Sequence, residues 1–193
     1  MVDERARGKW NRRYADAPAH TPAPARVLTE YEYLLPAEGT ALDLACGRGG
    51  NALFLARKGL EVQAWDISEE AVAGLDHEAR AKGLAIRAYA RDVREQPPRA
   101  NTFDVICVSY YLERDICDAI ISALRAGGIL FYQTFIHEKV TDEGPHNPAY
   151  RLGPNELLKL FASLHVLAYQ ELGCVGHTGR GTRDTAWLVA QNR

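Results

Sequence analysis

From Thr40 onward the chain alternates short apolar runs with helical stretches, and this alternation constrains the fold more than any other feature. "TALDLA" reads as a first strand, "GNALFLARKG" as a helix closed by Gly59, and "EVQAWD" as a second strand. "SEEAVAGLDHEARAKG" reads as the next helix, with Ser68 as its cap, acids in its first turn and Gly83 at its end. "AIRAYARD" is a third strand and "FDVICVSY" a fourth. The fourth is almost wholly apolar, as a parallel strand covered on both faces must be. "RDICDAIISALRAGG" is a helix expected to end at its double glycine, before a fifth strand, "GILFYQTF". A polar loop follows over residues 137–153, then a helix, "PNELLKLFASL", with Pro154 at its start. "HVLAYQEL" and "TAWLVAQN" have no helix between them and are expected to pair antiparallel. The expected architecture is an α/β sheet, mostly parallel, with helices on both faces.

A length of 193 residues suits a single domain. Residues 1–35 read as a helical arm: a helix over 3–15, a proline-rich linker over 16–25 and a helix over 26–35. Residues 40–135 form the core, and 136–193 add the loop and the last strands. A net charge of −2 gives no electrostatic case for nucleic acid or an anionic membrane. No apolar run approaches the roughly 18 residues that span a bilayer. The charged start, "MVDERARGKWNRRYAD", has no apolar core, so no secretory signal is expected. The four cysteines are widely spaced without a CxxC, so neither disulfides nor zinc is expected and a cytoplasmic location is the default.

In an open α/β sheet, ligands bind beyond the carboxyl ends of the strands. The turn after the first strand, "ALDLACGRGGNA", spells G-x-G-x-x-A with Gly47, Gly49 and Ala52. Its glycines let a ligand approach backbone N–H groups. Asp66 ends the second strand, where a carboxylate can accept hydrogen bonds from both hydroxyls of a ribose. That suits NAD and other adenosine cofactors equally. Asp92 follows the third strand, and Ser109, Tyr110 and Tyr111 follow the fourth. Asp43, at the end of the first strand, would repel a pyrophosphate and favour a cationic group. S-adenosyl-L-methionine (SAM) carries an adenosine, a sulfonium and an ammonium, and it meets all of these demands.

"LDLACGRGGNALFLARKGLEVQAWDIS" resembles the first motif and following strand of class I SAM-dependent methyltransferases. It is most similar to the small tellurite-resistance TehB-type and thiopurine-type enzymes. The resemblance runs over about residues 40–135 through "RDV", "FDVICVSYYL" and "RAGGILFY", and "WNRRY" resembles an element preceding many such domains. It implies a Rossmann-like, doubly wound sheet of seven strands, the last antiparallel. It also implies that Ala45, Gly47 and Gly49 lie along the methionyl part of SAM, near Asp43. Asp66, followed by Ile67, would hold the ribose. Asp92 and Val93 would face the adenine, with Ser109 and Tyr110 near the sulfonium. Arg13 or Tyr14 would close over the methionyl carboxylate. One departure is Ala45, where the family usually has glycine.

The implied reaction is an SN2 methyl transfer to a small molecule, leaving S-adenosylhomocysteine (SAH). His137 and Glu138 are the candidates for a general base. A soft thiol or chalcogen acceptor would need none. His137, Glu138 and His146 match no metal-ligand spacing, so no metal is expected. Cys46 reads as a packed small residue, and "GCVGHTGRGTR" as a plain connection between strands rather than a phosphate loop. The chain is expected to act as a monomer or homodimer. An NAD-dependent oxidoreductase and a non-catalytic SAM-binding module are the alternatives.

Overall fold

The computed structural model describes residues 3–16 and 22–193. The strands are β1 (Thr40–Leu44), β2 (Glu61–Asp66), β3 (Ile86–Ala90), β4 (Phe103–Ser109), β5 (Leu124–Phe135), β6 (His165–Glu171) and β7 (Thr185–Gln191). They form one seven-stranded sheet ordered β3-β2-β1-β4-β5-β7-β6. Strands β1 to β5 run parallel, and β7 runs antiparallel to both β5 and β6. The helices are α1 (Glu4–Asp16), α2 (Arg26–Glu30), α3 (Gly50–Arg57), α4 (Glu69–Ala81), α5 (Cys117–Ala123) and α6 (Glu156–Leu160).

The period of two along each central strand builds a core on either face. Leu42, Leu44, Ile106, Val108, Leu130 and Tyr132 meet Ile120 of α5 and Leu157 of α6. Ala41, Val105, Cys107 and Phe131 meet Val27 and Leu28 of α2, Leu53 and Leu55 of α3, and Leu75 of α4. Burial on both faces explains why β4 and β5 read as unbroken apolar runs.

Local signals place several boundaries. Ser68 caps α4 by accepting from the Ala71 N–H at 3.3 Å. Gly59 and Gly83 leave their helices at φ +98° and +62°, a region glycine enters without a Cβ penalty.

Three expectations are corrected. The helix expected over 26–35 stops at Glu30 and resumes as a 3₁₀ turn over Glu32–Leu34. Tyr31, at the break, sets its ring edge-on to Trp187 at 6.3 Å. The double glycine of "RAGG" does not end α5, which stops at Ala123. Gly127 and Gly128 lie inside β5, where the pairing with β4 slips register. A Cβ on Gly128 would come within 2.9 Å of the Arg125 carbonyl oxygen, so the bulge needs glycine there. Pro154 precedes the last helix rather than opening it. Asn155, at φ +56°, forms the cap, and α6 is only five residues long. Of the expected linker, residues 17–21, His20 among them, lie outside the described residues.

Replacing Ser68 by alanine should lower unfolding free energy by about 1 kcal/mol, the usual worth of such a cap. Urea denaturation measures this, and an unchanged midpoint would contradict the capping role.

Candidate cofactor site

The loop from β1 to α3 takes a left-handed path. Ala45, Gly47 and Gly49 have φ values of +55°, +52° and +77°. Ala45 therefore holds a conformation that costs a residue with a Cβ roughly 1–2 kcal/mol, which explains why glycine suits this position. A Cβ on Gly49 would lie 2.3 Å from a methyl of Leu75, so helix α4 packs directly against the turn.

Buried carboxylates hold the path from below. Asp66 accepts from the Gly47 N–H at 2.8 Å and from the Ser68 N–H at 2.9 Å. Each oxygen thus keeps a lone pair for a further donor. Burial raises the Asp66 pKa, against the pull of these backbone bonds. Asp43 accepts from the Ala52 N–H at 2.9 Å and from the Asn51 amide at 3.3 Å. It has no solvent exposure, and burial raises its pKa from 3.8 to about 7. Asp43 seats the start of α3, because two donors at the helix N-terminus take its oxygens.

Asp92 lies beyond β3 and is 5% exposed. Its carboxylate accepts from the Asp3 N–H at 3.2 Å and from the Arg94 N–H at 3.1 Å. Burial pushes its pKa up, but these donors and the Arg94 charge hold it below the usual value. Val93 is buried beside Trp65 and Leu112, and Ile67 is half-buried. Ser109 accepts from the Asn51 amide at 2.8 Å. Tyr110 is 53% exposed and has φ +56°, an unusual backbone state for a bulky residue. The four strand ends named from sequence therefore converge on one rim.

The N-terminal arm lies across that rim. The Tyr14 hydroxyl sits over Gly47, 2.6 Å from where a Cβ would stand. Arg48 donates to the Tyr14 carbonyl, and Ser68 donates to the Asn11 side chain at 2.8 Å. Burial raises the Tyr14 pKa, so its phenol is protonated at neutral pH. Arg13 takes a different place: it is exposed, with its guanidinium 5.3 Å from the Trp10 ring. Of the two arm residues expected at the turn, the structure brings Tyr14 there. Two buried amides escaped sequence reasoning. Asn51 accepts from the Ala25 N–H at 2.8 Å, and Gln133 accepts from the Val27 N–H at 2.9 Å. Both stood out as polar residues beside apolar ones, in "GNALF" and "LFYQTF".

The loop over 137–153 is tied down by side chains. Asp184 accepts from Val140, Thr141 N–H and the Thr141 hydroxyl. Arg114 pairs with Glu156 and donates to the carbonyls of Ala149 and Arg151. His137 and Glu138 are exposed on this loop, and Glu138 lies against Gly173. "GCVGHTGRGTR" wraps around Arg183, which donates to the carbonyls of Leu172, Gly173, Val175, His177 and Arg180. Cys46 is buried and its thiol pKa is pushed well up by burial, so it is no thiolate. Among the described residues no group of three metal-ligating side chains occurs.

Residues 41–128 match the family described as a methyltransferase domain. TehB of Haemophilus influenzae, named a probable S-adenosyl-L-methionine-dependent methyltransferase, is 28% identical over 139 residues, 67% of this chain and 47% of TehB. Residues 41–128 are thus similar to a methyltransferase domain. Hemagglutinin 1 of Eikenella corrodens is 32% identical over 139 residues, covering 67% of this chain and 45% of that protein. The chain thus spans about half the length of the curated relatives it matches. The crystal structure of TehB superposes on this chain with a TM-score of 0.73 at 20% identity, covering 95% of this chain and 67% of that one. Geranyl diphosphate C-methyltransferase from Streptomyces coelicolor, solved with SAH, has a TM-score of 0.71 at 13% identity, covering 97% and 98% of the two chains.

The buried Asp43 sets a pH dependence. An unfolded aspartate titrates near 3.8 and folded Asp43 at about 7. Between these values the folded chain keeps a proton that the unfolded chain has lost, so stability falls as pH rises through the window. The wild-type melting temperature should fall more steeply there than that of Asp43→Asn. Parallel curves would contradict the assignment.

Proposed function

We propose that this chain transfers the methyl group of SAM to a small molecule, releasing SAH. The observation that carries the reading is the left-handed glycine turn with acids at successive strand ends, within a segment that matches a methyltransferase domain. When bound, SAM supplies an electrophilic methyl group on a good leaving group. The protein's task is then alignment and exclusion of water.

The residues present fit that group. Asp66 spends one lone pair of each oxygen on the backbone of Gly47 and Ser68, and the remaining pairs suit the vicinal hydroxyls of a ribose. Among the described residues the Oδ2 atom of Asp92 is held by the Asp3 N–H, a donor that an adenine amino group can replace. Val93 and Ile67 supply apolar sides. Ala45, Gly47 and Gly49 lie along the methionyl chain, Tyr14 covers its end, and Ser109 and Tyr110 line the sulfonium side. Asp43 acts from beneath by seating α3. The domain comprises the whole chain, with the arm as cover, residues 40–135 as cofactor core and 136–193 as the acceptor side.

The acceptor we favour is a soft thiol or chalcogen nucleophile. Such an anion attacks without a general base, and both His137 and Glu138 are exposed on the loop. The buried free thiols Cys46, Cys107 and Cys117 accord with a cytoplasmic setting. Among the described residues no helix is long and apolar enough to cross a membrane.

Calorimetric titration should show SAH binding and no response to NAD; NAD binding without SAH binding would sink the reading. Asp66→Ala should weaken SAH binding by about 1.5–3 kcal/mol, the worth of a charged hydrogen-bond partner. An acceptor panel scored by SAH release should give turnover. Binding without turnover across thiols, selenols and oxyanions would instead mark a non-catalytic SAM-binding module.

A further inference from the structure

Gln133 is 1% exposed in the middle of an apolar strand, and its amide orientation is fixed by its neighbours. The Val27 N–H can only donate, so the atom 2.9 Å from it must be the Gln133 carbonyl oxygen. The Gln133 NH₂ group therefore faces the other way. It donates to the Tyr110 hydroxyl at 3.3 Å and to the Thr185 hydroxyl at 3.5 Å.

An amide NH₂ cannot accept a hydrogen bond. The phenol oxygen of Tyr110 is thus the acceptor in this pair, and the phenol proton must point elsewhere. Among the described residues no acceptor takes that proton. Burial of the hydroxyl, then the charge of Glu143, raises the Tyr110 pKa, which keeps the proton on. The ring is held as firmly as its hydroxyl. The Tyr110 N–H donates to the Gln133 main-chain carbonyl at 2.8 Å, and the ring lies 5.3 Å from that of Phe135. Phe135 in turn backs Gly144 of the 137–153 loop. On its other side, Tyr110 follows Ser109, which accepts from Asn51 at the head of α3. A strained, half-exposed tyrosine so fixed stands between the glycine turn and the loop.

We propose that Gln133 positions the Tyr110 hydroxyl as a one-way hydrogen-bond donor to the methyl acceptor, which must present a hydrogen-bond-accepting heteroatom, thiolate or oxygen. The inference rests on the methyl-transfer reading. Tyr110 touches the substrate, and Gln133 is a positioning residue that acts through it.

The test uses 4-nitrothiophenolate, a coloured thiolate at neutral pH, titrated into the SAH-saturated full chain. A donated hydrogen bond localises the thiolate charge and moves its absorption band to shorter wavelength. Wild type should bind the probe. Tyr110→Phe, which keeps the ring, should bind it at least about tenfold more weakly, with the band at longer wavelength and a smaller loss of SAH affinity than of probe affinity. Gln133→Glu should do the same although the phenol remains, because a carboxylate would draw the phenol proton inward. A purely structural role for Gln133 would not move the band. Tyr110→Phe leaves the Gln133 bonds to Val27 and Thr185 in place, so it decides the matter if Gln133→Glu does not fold. No probe binding to wild type, or an unchanged affinity and band in Tyr110→Phe, would overturn the proposal. So would an equal loss of SAH affinity in that variant. A bound, blue-shifted probe that SAM fails to methylate would support the donor and count against the soft-acceptor reading alone.

Discussion

A turn that offers its N–H groups to a ligand must be held open by something other than the ligand. Here buried carboxylates do this from beneath. Asp66 bonds the backbone of Gly47 and Ser68, which links the β1–α3 turn to the β2–α4 turn. Asp43 bonds Ala52 and Asn51, which seats the first turn of α3. Leaving such donors unpaired in the interior would cost about 1–3 kcal/mol each. The glycines can then follow a left-handed path without slack. The two acids also repel one another, and burial with that repulsion is why the Asp43 pKa rises. A preformed turn is thus maintained at the expense of an easily protonated interior group.

The arm builds on this base. Tyr14 lies on Gly47 because glycine leaves room there, and Asn51 and Gln133 pin residues 25 and 27 across the sheet ends. Each bridging amide faces in two directions at once. Asn51 accepts from the arm and donates to Asp43 and Ser109, while Gln133 accepts from α2 and donates to Tyr110 and Thr185. Helix α1 contributes no buried residue, so its position depends on polar bonds such as those of Asp3 and Asn11. Elements held this way are easier to displace than those held by a core.

The parallel strands were legible because both faces are buried, and "EVQAWD" matched its strand residue for residue. The cap at Ser68 was legible because a cap is a local device. The glycines of "RAGG" misled for a related reason. A double glycine ends a helix or makes a bulge by the same freedom, and only the neighbouring carbonyls of Arg125 and Phe103 decide which. The acids at the strand ends were located correctly, but the bonds that tie Asp43 to the start of α3 were not foreseen. A carboxylate's position can be read from a strand pattern, but the direction it faces depends on which donors arrive from other elements.

By itself, the sequence determined the parallel α/β sheet, the antiparallel final pair and the rim at which Gly47, Gly49, Asp66, Asp92 and Tyr110 meet. Those follow from period, capping and turn chemistry within short windows. Only the tertiary structure decided that Asp43 lies beneath the turn, that Tyr14 rather than Arg13 covers it, and that Gln133 orients the Tyr110 hydroxyl. The contacts of Tyr14 and Gln133 join residues far apart in the chain, for instance the Val27 N–H and Gln133, and those of Asp43 join β1 to α3 across the turn. No local pattern carries such a pairing, because it exists only once the strands have set the distance.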